Sequence, residues 1–476
     1  MLRLVELFNE EVIIVSIYSE EQILQMKEDD FSYHLHPTSS IPDMEAWGGP
    51  RIISEGEGVR VKSVEGKTYI DCGAGLWLNN VGTGRKEIVE AASKQMEKLH
   101  YFQSFNGYTH PLAIEVAKKF AKMVPVENAR IFFTSGGSES NDSAYKLARL
   151  YFNLTGRPEK NQIICRTKAY HGVAYGATSA TSLPGFWDGF RPLVPGFHHT
   201  DHPHCYFCAW GKEEGSCDYE CAKAVEEKIL EIGPEKVAGF SAEPVIGTGG
   251  AIVPPNGYYP RVREICNKYD VLLIADEVIC GFGRTGKNFG IENWGVKPDL
   301  MMLAKGITSG YIPMGAVALT GKIYEPIKKH GIFMHGYTYT GHPVACAAAL
   351  ANLEIVEKEN LVENARIKGE ILRQKVRALD LPCIGEVRGI GMINGVQLVK
   401  NRETREKFAP SVGFAKRVSF LGWENGLILR PLIDDALQLS PSLIISETEI
   451  DELVEKLETS IKQAWEEYLA NDEKTL

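Results

Sequence analysis

Six short apolar runs punctuate the middle of this chain, and few folds can bury runs of this kind. Ile131–Phe133, Ile163–Cys165, Val237–Ala242, Val271–Ala275, Leu300–Ala304 and Ala316–Leu319 are continuous rather than alternating. Continuity marks strands covered on both faces, the condition inside a largely parallel sheet. Helical patterns lie between them. Pro111 to Met123 puts Leu112, Val116, Phe120 and Met123 on one face, opens on a proline suited to a first turn, and is stopped by Pro125. A second pattern, Val225, Ile229 and Ile232, is ended by Gly233-Pro234. Such alternation predicts an α/β domain. Further on, Ser446-Glu447-Thr448-Glu449 reads as a capping box before a stripe of Ile450, Leu453, Leu457 and Ile461. That region joins the N-terminal portion in a smaller α+β domain. The expected division is an extension over 1–30, the first part of the small domain over 31–85, a large domain over 86–335 and the rest of the small domain over 336–476.

Composition narrows the partners. The net charge is −10 and Lys and Arg are scattered, which argues against nucleic acid. No apolar run approaches the roughly 20 residues that span a bilayer, so no membrane partner is expected. The opening MLRLVELFNEEVIIVSIYSEE is interrupted by acids and lacks a basic start, so it reads as a loosely ordered extension and not as a signal peptide. Six of the ten cysteines stand singly in apparent core segments, which suits a reducing cytoplasm.

In open α/β sheets ligands gather beyond the carboxyl ends of the strands. After Phe133 comes Thr134-Ser135-Gly136-Gly137-Ser138-Glu139-Ser140; after Cys165, Tyr170-His171-Gly172; after Ala242, Glu243; after Ala275, Asp276-Glu277; after Ala304, Lys305-Gly306. A glycine loop opening a helix offers amides and hydroxyls to phosphate, although a plain strand-to-helix turn with a serine cap has the same composition. It is not a P-loop, for no Gly-Lys-Ser/Thr follows, and no dinucleotide fingerprint is present. Asp276 closes an apolar run and needs a partner there. It is either a structural acid bonded to amides or the counter-charge of a protonated ring nitrogen. Lys305 is either a solvated loop lysine or a Schiff-base amine. A phosphate loop, a ring-nitrogen acid and an amine together describe the needs of pyridoxal phosphate.

With these residues in order, the chain resembles the class III aminotransferases, pyridoxal-phosphate enzymes of fold type I, from about His34 to Trp465. The most specific stretch is Asp276-Glu277-Val278 through Gly281-Phe282-Gly283-Arg284-Thr285-Gly286, then Lys305-Gly306. Glu243-Pro244-Val245 and Tyr337-Thr338-Tyr339-Thr340-Gly341-His342-Pro343 also match in order. The resemblance implies a large domain with a mainly parallel sheet and a smaller α+β domain. It implies that Lys305 holds pyridoxal 5'-phosphate as a Schiff base and that Asp276 keeps the ring nitrogen protonated. Ser135, Gly137 and Ser138 would surround the phosphate. Thr338 would reach it from the partner subunit of a homodimer or higher assembly. Tyr170 would stack on the ring and act beside Lys305, Val278 would pack on the other face, and Glu243 would join the polar network.

Asp71-Cys72-Gly73-Ala74-Gly75-Leu76-Trp77 resembles the ω-aminotransferase (amine–pyruvate) branch, in which the tryptophan lines the substrate pocket. Trp77, Tyr170 and Arg430 are therefore the expected substrate residues, Arg430 as a mobile guanidinium for the keto-acid carboxylate. Ornithine- and γ-aminobutyrate-type relatives resemble Arg-x-x-Pro-Pro where this chain has Gln438-Leu439-Ser440-Pro441-Ser442. Gln438 cannot pair ionically with Glu243, which favours pyruvate as acceptor. His36-Pro37-Thr38 carries a threonine where an aromatic often lines the pocket. The expected reaction moves an amino group from a primary (ω-) amine or amino acid to a keto acid in a ping-pong cycle. A 2-oxoglutarate-dependent ornithine- or γ-aminobutyrate-type transaminase, an aminomutase, and a decarboxylating transaminase stand as alternatives. Diamines, β-alanine, sulfonates and aryl amines all remain open as donors.

Cys205, Cys208, Cys217 and Cys221 follow His198, His199, His202 and His204 with metal-ligand spacing, but the gap between the pairs is short for a zinc knuckle. A loop of free or occasionally paired thiols is the reading preferred, and no metal is assigned. An NAD-dependent dehydrogenase and a non-catalytic metal-binding protein built on this insert are the readings outside the family.

Overall fold

The computed structural model describes residues 16–472. Of the expected N-terminal extension, residues 1–15 lie outside the described residues. The remainder is not loose: a helix runs over Glu20–Tyr33. Ser19 and Gln22 cap it reciprocally, so two otherwise orphan donors are satisfied at its start.

Strands β1 (Ile53–Glu57), β2 (Arg60–Ser63) and β3 (Thr68–Asp71) form an antiparallel meander. Seven strands then build the central sheet: β4 (Arg130–Thr134), β5 (Gln162–Arg166), β6 (Phe197–Thr200), β7 (Val237–Ala242), β8 (Leu272–Asp276), β9 (Leu300–Leu303) and β10 (Gly315–Leu319). Their spatial order is β4-β10-β9-β8-β7-β5-β6, parallel from β9 to β6, with β10 antiparallel to both neighbours. The expected apolar runs supply six of these strands. Their continuity has a direct cause: Leu272, Ile274, Leu300 and Met302 enter one hydrophobic core, while Leu273, Met301 and Leu303 enter the core on the opposite face. Neither face meets water, so neither needs polar residues.

The later chain adds β11 (Ile384–Ile390), β12 (Ile393–Leu398), β13 (Leu427–Ile428), β14 (Arg430–Leu432) and β15 (Ala436–Leu439). A four-stranded sheet takes the order β11-β12-β15-β14, whereas β13 lies parallel to β3 and so completes the N-terminal sheet. A last helix spans Glu447–Asp472. The Ser446 hydroxyl accepts from the Glu449 amide at 3.2 Å and the Glu449 carboxylate accepts from the Ser446 amide at 2.9 Å. Ile450, Leu453, Leu457 and Ile461 are all fully buried in a third core. Burial of that kind contributes about 1.5–3 kcal/mol per side chain.

Candidate active site

Residues leaving five strand ends meet around one cavity of about 450 Å³. Gly137 and Ser138 follow β4, Tyr170 follows β5, Glu243 follows β7, Asp276 ends β8 and Lys305 follows β9; all line it. Register explains the proximity of the two acids: Ala242 pairs with Ala275 and Asp276 with Met302, so Glu243 and Asp276 occupy equivalent rungs of neighbouring strands. Arg430, at the start of β14, closes the cavity from the C-terminal segment, and Pro37 and Thr38 close it from the N-terminal one.

Asp276 is 3% exposed and heavily bonded. Its Oδ1 accepts from the Val278 amide at 3.1 Å, and its Oδ2 accepts from Asn141 Nδ2 at 3.0 Å and lies 2.7 Å from His171 Nδ1. The cost of burying a carboxylate is thereby offset. Glu243, equally buried, accepts from the Tyr170 amide at 3.1 Å and the Gly247 amide at 2.9 Å. Burial nonetheless holds its carboxyl above the usual range. Burial first, and the Arg430 guanidinium next, bring the Lys305 amine down from 10.5 to about 8. Burial also lowers Arg430 and raises the Tyr170 phenol.

Gly137 begins the helix Gly137–Leu154, and its lack of a Cβ matters: one built there would stand 2.9 Å from Val278 Cγ1. No side chain caps this helix, so its first amides are free to bind an anion. Gly172 has φ +120°, and a Cβ on it would stand 2.3 Å from Ser138 Oγ. The loop after β5 therefore closes on the helix start only because this position is bare.

Three expected residues lie elsewhere. Trp77 does not line the cavity; it is 1% exposed and belongs to a hydrophobic core, while Leu76 lines the cavity. The cause is a kink, with Gly75 at φ 64° and Trp77 at φ 65°, that turns the tryptophan inward and its neighbour outward. Ser135 also misses the lining, and its amide donates to Glu139 Oε2 at 2.8 Å, which turns it along the helix start. Thr338 does not reach the cavity of its own chain; its carbonyl accepts from the Tyr101 hydroxyl at 2.8 Å. Gln438 is fully buried opposite Arg430 and donates to the Gly73 carbonyl at 3.2 Å, whereas the Glu243 carboxylate accepts from the Tyr170 and Gly247 amides.

Two polar residues were not singled out from the sequence. His171 stands inside the quoted Tyr170-His171-Gly172 motif, so its signal was present. Asn141 lies four residues after Gly137 on the same helix, a spacing that puts it on the same face. Of the cysteine insert, Cys205, Cys208 and Cys217 are partly exposed, Cys221 is buried, and all are free thiols. Among the described residues, three metal-ligating atoms come within 4.8 Å of one another only at Asp30, His34 and His36.

The residues present fit a phosphorylated pyridine aldehyde. Such a group needs a free amine, an anion at its ring nitrogen and amide donors for its phosphate. The Lys305 amine opens on the cavity and forms none of the hydrogen bonds or ion pairs seen among the described residues. His171 Nε2 is buried without a partner beside the Asp276 carboxylate.

The sequence model of the class III aminotransferases matches residues 44–461. The chain is 42% identical over 425 residues to the putrescine–pyruvate aminotransferase of Pseudomonas aeruginosa, covering 89% of this chain and 92% of that protein. A thermostable (S)-enantioselective ω-transaminase from Thermomicrobium roseum superposes with a TM-score of 0.88 at 42% identity, over 93% of this chain and 98% of that one. The ω-transaminase of Pseudomonas jessenii in complex with PMP superposes with a TM-score of 0.89 at 38% identity, over 92% and 98%.

Proposed function

The chain belongs to the class III aminotransferases, pyridoxal-phosphate-dependent transaminases, and from that premise we propose that it moves amino groups from primary (ω-) amines or amino acids to pyruvate. The observation that carries this reading is the meeting of Lys305, Asp276 and Arg430 in one cavity.

When bound, the cofactor supplies an electrophilic carbonyl carbon and a ring that accepts the electron pair released at the donor carbon. Asp276 would hold a proton on the ring nitrogen, since an adjacent anion favours the charged form. Asn141 and His171 keep its carboxylate aimed. Lys305 would hold the cofactor through its amine and, when free, would take the proton from the donor carbon and give one back as acid. An amine brought down to about 8 suits both directions of that transfer near neutral pH. Tyr170 and Val278 would hold the ring between them, Gly137 and Ser138 would hold the phosphate, and Glu243 fixes the Tyr170 backbone. Thr338 would serve the phosphate of a second copy in a homodimer or higher assembly, as the family resemblance implies. Arg430 receives the keto-acid carboxylate through a fork of donors. Gln438 brings no second cation, which favours a monocarboxylate such as pyruvate over 2-oxoglutarate. The ten free thiols support a reducing, cytoplasmic setting. No helix among the described residues is long and apolar enough to cross a membrane.

Lys305→Ala should abolish turnover and the visible absorbance of bound cofactor together. Full activity in that variant refutes the assignment. A half-reaction screen, following that absorbance as amines are added and then as pyruvate or 2-oxoglutarate is supplied, tests donor and acceptor.

A further inference from the structure

Tyr170 and Arg430 both line the cavity, and the guanidinium is close enough to act on the phenol through its charge. They come from different parts of the fold: Tyr170 follows β5 of the central sheet, whereas Arg430 opens β14 of the C-terminal sheet. An ion pair behind them joins the two loops. Lys168 stands two residues before Tyr170, and Asp434 four residues after Arg430. Lys168 Nζ donates to Asp434 Oδ2 at 2.6 Å, with the side chains 22% and 30% exposed. Lys168 has φ 60° and Asp434 φ 59°, so each side chain leaves its loop from the left-handed region. The chain at Gly249 packs onto Lys168, and a Cβ there would collide with the Lys168 carbonyl oxygen. The Asp434 carbonyl accepts from Gln397 Nε2 on β12. Asp435 is engaged elsewhere, its Oδ1 accepting at 2.8 Å from the Ala415 amide in the first turn of the helix Phe414–Glu424. Lys407 also donates to Asp434 Oδ2, at 2.9 Å, but it is more exposed and belongs to the C-terminal segment itself. Burial works against the Asp434 carboxylate, yet Lys168 and Lys407 hold it down at about 2, so it is ionised at any working pH.

We propose that Asp434 is a positioning residue: through its bond to Lys168 it fixes Arg430 relative to Tyr170, and so governs binding of the keto-acid carboxylate without touching it. The proposal rests on the transaminase reading and adds to it a residue that acts on the acceptor half of the cycle. A guanidinium fork grips a carboxylate only when its donors are aimed at both oxygens. Without the link, the turn between β14 and β15 is free to shift against the loop after β5, and a small shift misdirects the fork. An amine that carries no carboxylate makes no use of Arg430 and is indifferent to that shift.

The test separates the two half-reactions by the absorbance of bound cofactor, with propylamine or putrescine in the first and pyruvate in the second. Calorimetry adds the dissociation constant of propionate, a carboxylate with no carbonyl to react. Asp434→Asn keeps the shape and tolerates the same backbone, so it removes little but the charge. It should lower kcat/KM for pyruvate and weaken propionate about fivefold or more. The amine half-reaction should stay within about twofold of the parent. Lys168→Met cuts the same link from the other side and should reproduce this pattern, which decides the matter should Asp434→Asn not fold. The two changes together should add little, since one bond is lost only once. Lys407→Met leaves the link intact and should move each quantity by no more than about twofold. Unchanged pyruvate and propionate values in Asp434→Asn overturn the proposal. So does an equal fall in both half-reactions, the sign of general loosening, or a Lys407→Met effect as large as that of Lys168→Met. Absence of turnover with every amine and keto acid in the parent sinks the transaminase reading instead, while propionate binding still decides the role of Asp434.

Discussion

Lys305 holds its backbone at φ 49°, in the left-handed region that a residue bearing a side chain enters at a cost. The turn is kept by Ile307 and Thr308, whose amides donate to the Ala304 and Lys305 carbonyls at 3.1 and 3.3 Å. It carries the amine off the end of β9 and into the cavity. There, burial and Arg430 make the neutral amine far more available. At pH 7 about one amine in ten is unprotonated with a value of about 8, against roughly one in three thousand at 10.5. The sign follows directly: the group is depressed, so its reactive form grows as pH rises and saturates above about 8. Cofactor uptake by apoenzyme, followed by stopped-flow absorbance, should therefore quicken about tenfold per pH unit below that value and then level. Arg430→Met removes one depressing charge, and the midpoint should move upward. A midpoint that stays or falls in that variant counts against the electrostatic account.

Two elements must approach closely for the site to exist: the start of the helix Gly137–Leu154 and the loop after β5. Ser138 Oγ accepts from the Val173 amide at 3.1 Å, and Gly172 lies between them with no room for a methyl group. Gly172→Ala should cost about 1–3 kcal/mol through its φ of +120° and the forced shift of Ser138. The measurements are the thermal midpoint and the cofactor dissociation constant from an absorbance titration, and both should worsen. Unchanged cofactor affinity would separate Ser138 from the phosphate. At this scale the sequence was readable, because a strand covered on both faces and a helix with one apolar stripe leave local patterns. The six apolar runs and the helix Pro111–Met123 came out as such patterns. The helix Glu20–Tyr33 did not, since Ile23 is its only buried residue and it leaves hardly any stripe to read.

Across the whole molecule, distant segments are tied by a few buried groups. Arg284 is fully buried, and its guanidinium donates to Asn80 Oδ1 at 2.6 Å, to the Ser440 carbonyl at 3.1 Å and to the Pro441 carbonyl. It joins the loop after β8 to segments some two hundred residues before and one hundred and fifty after it. Burial brings it down from 12.5 to about 9, which leaves it charged at neutral pH. Arg284→Leu orphans those acceptors and should destabilise the protein by about 3 kcal/mol or more. Urea denaturation followed by tryptophan fluorescence would show it, and a midpoint within error of the parent would exclude the tie. Likewise β13 extends the sheet begun by β3, and the cavity is closed by Thr38 from one end of the chain and Arg430 from the other.

What the sequence by itself determined was the order of chemistry along the strand ends: glycine loop, Tyr170, Glu243, Asp276, Lys305. That order is readable because a residue just past a buried strand is placed by its own strand, a local matter. Which side chain faces the ligand was decided only in three dimensions. The kink at Gly75 sends Leu76 to the cavity and Trp77 to the core, and the Glu139 carboxylate draws Ser135 aside. His171 and Asn141 become partners of Asp276 only when β5, β8 and a helix are stacked. Dihedrals at kinks and contacts between remote segments depend on the packed whole, and no periodicity in the sequence records them.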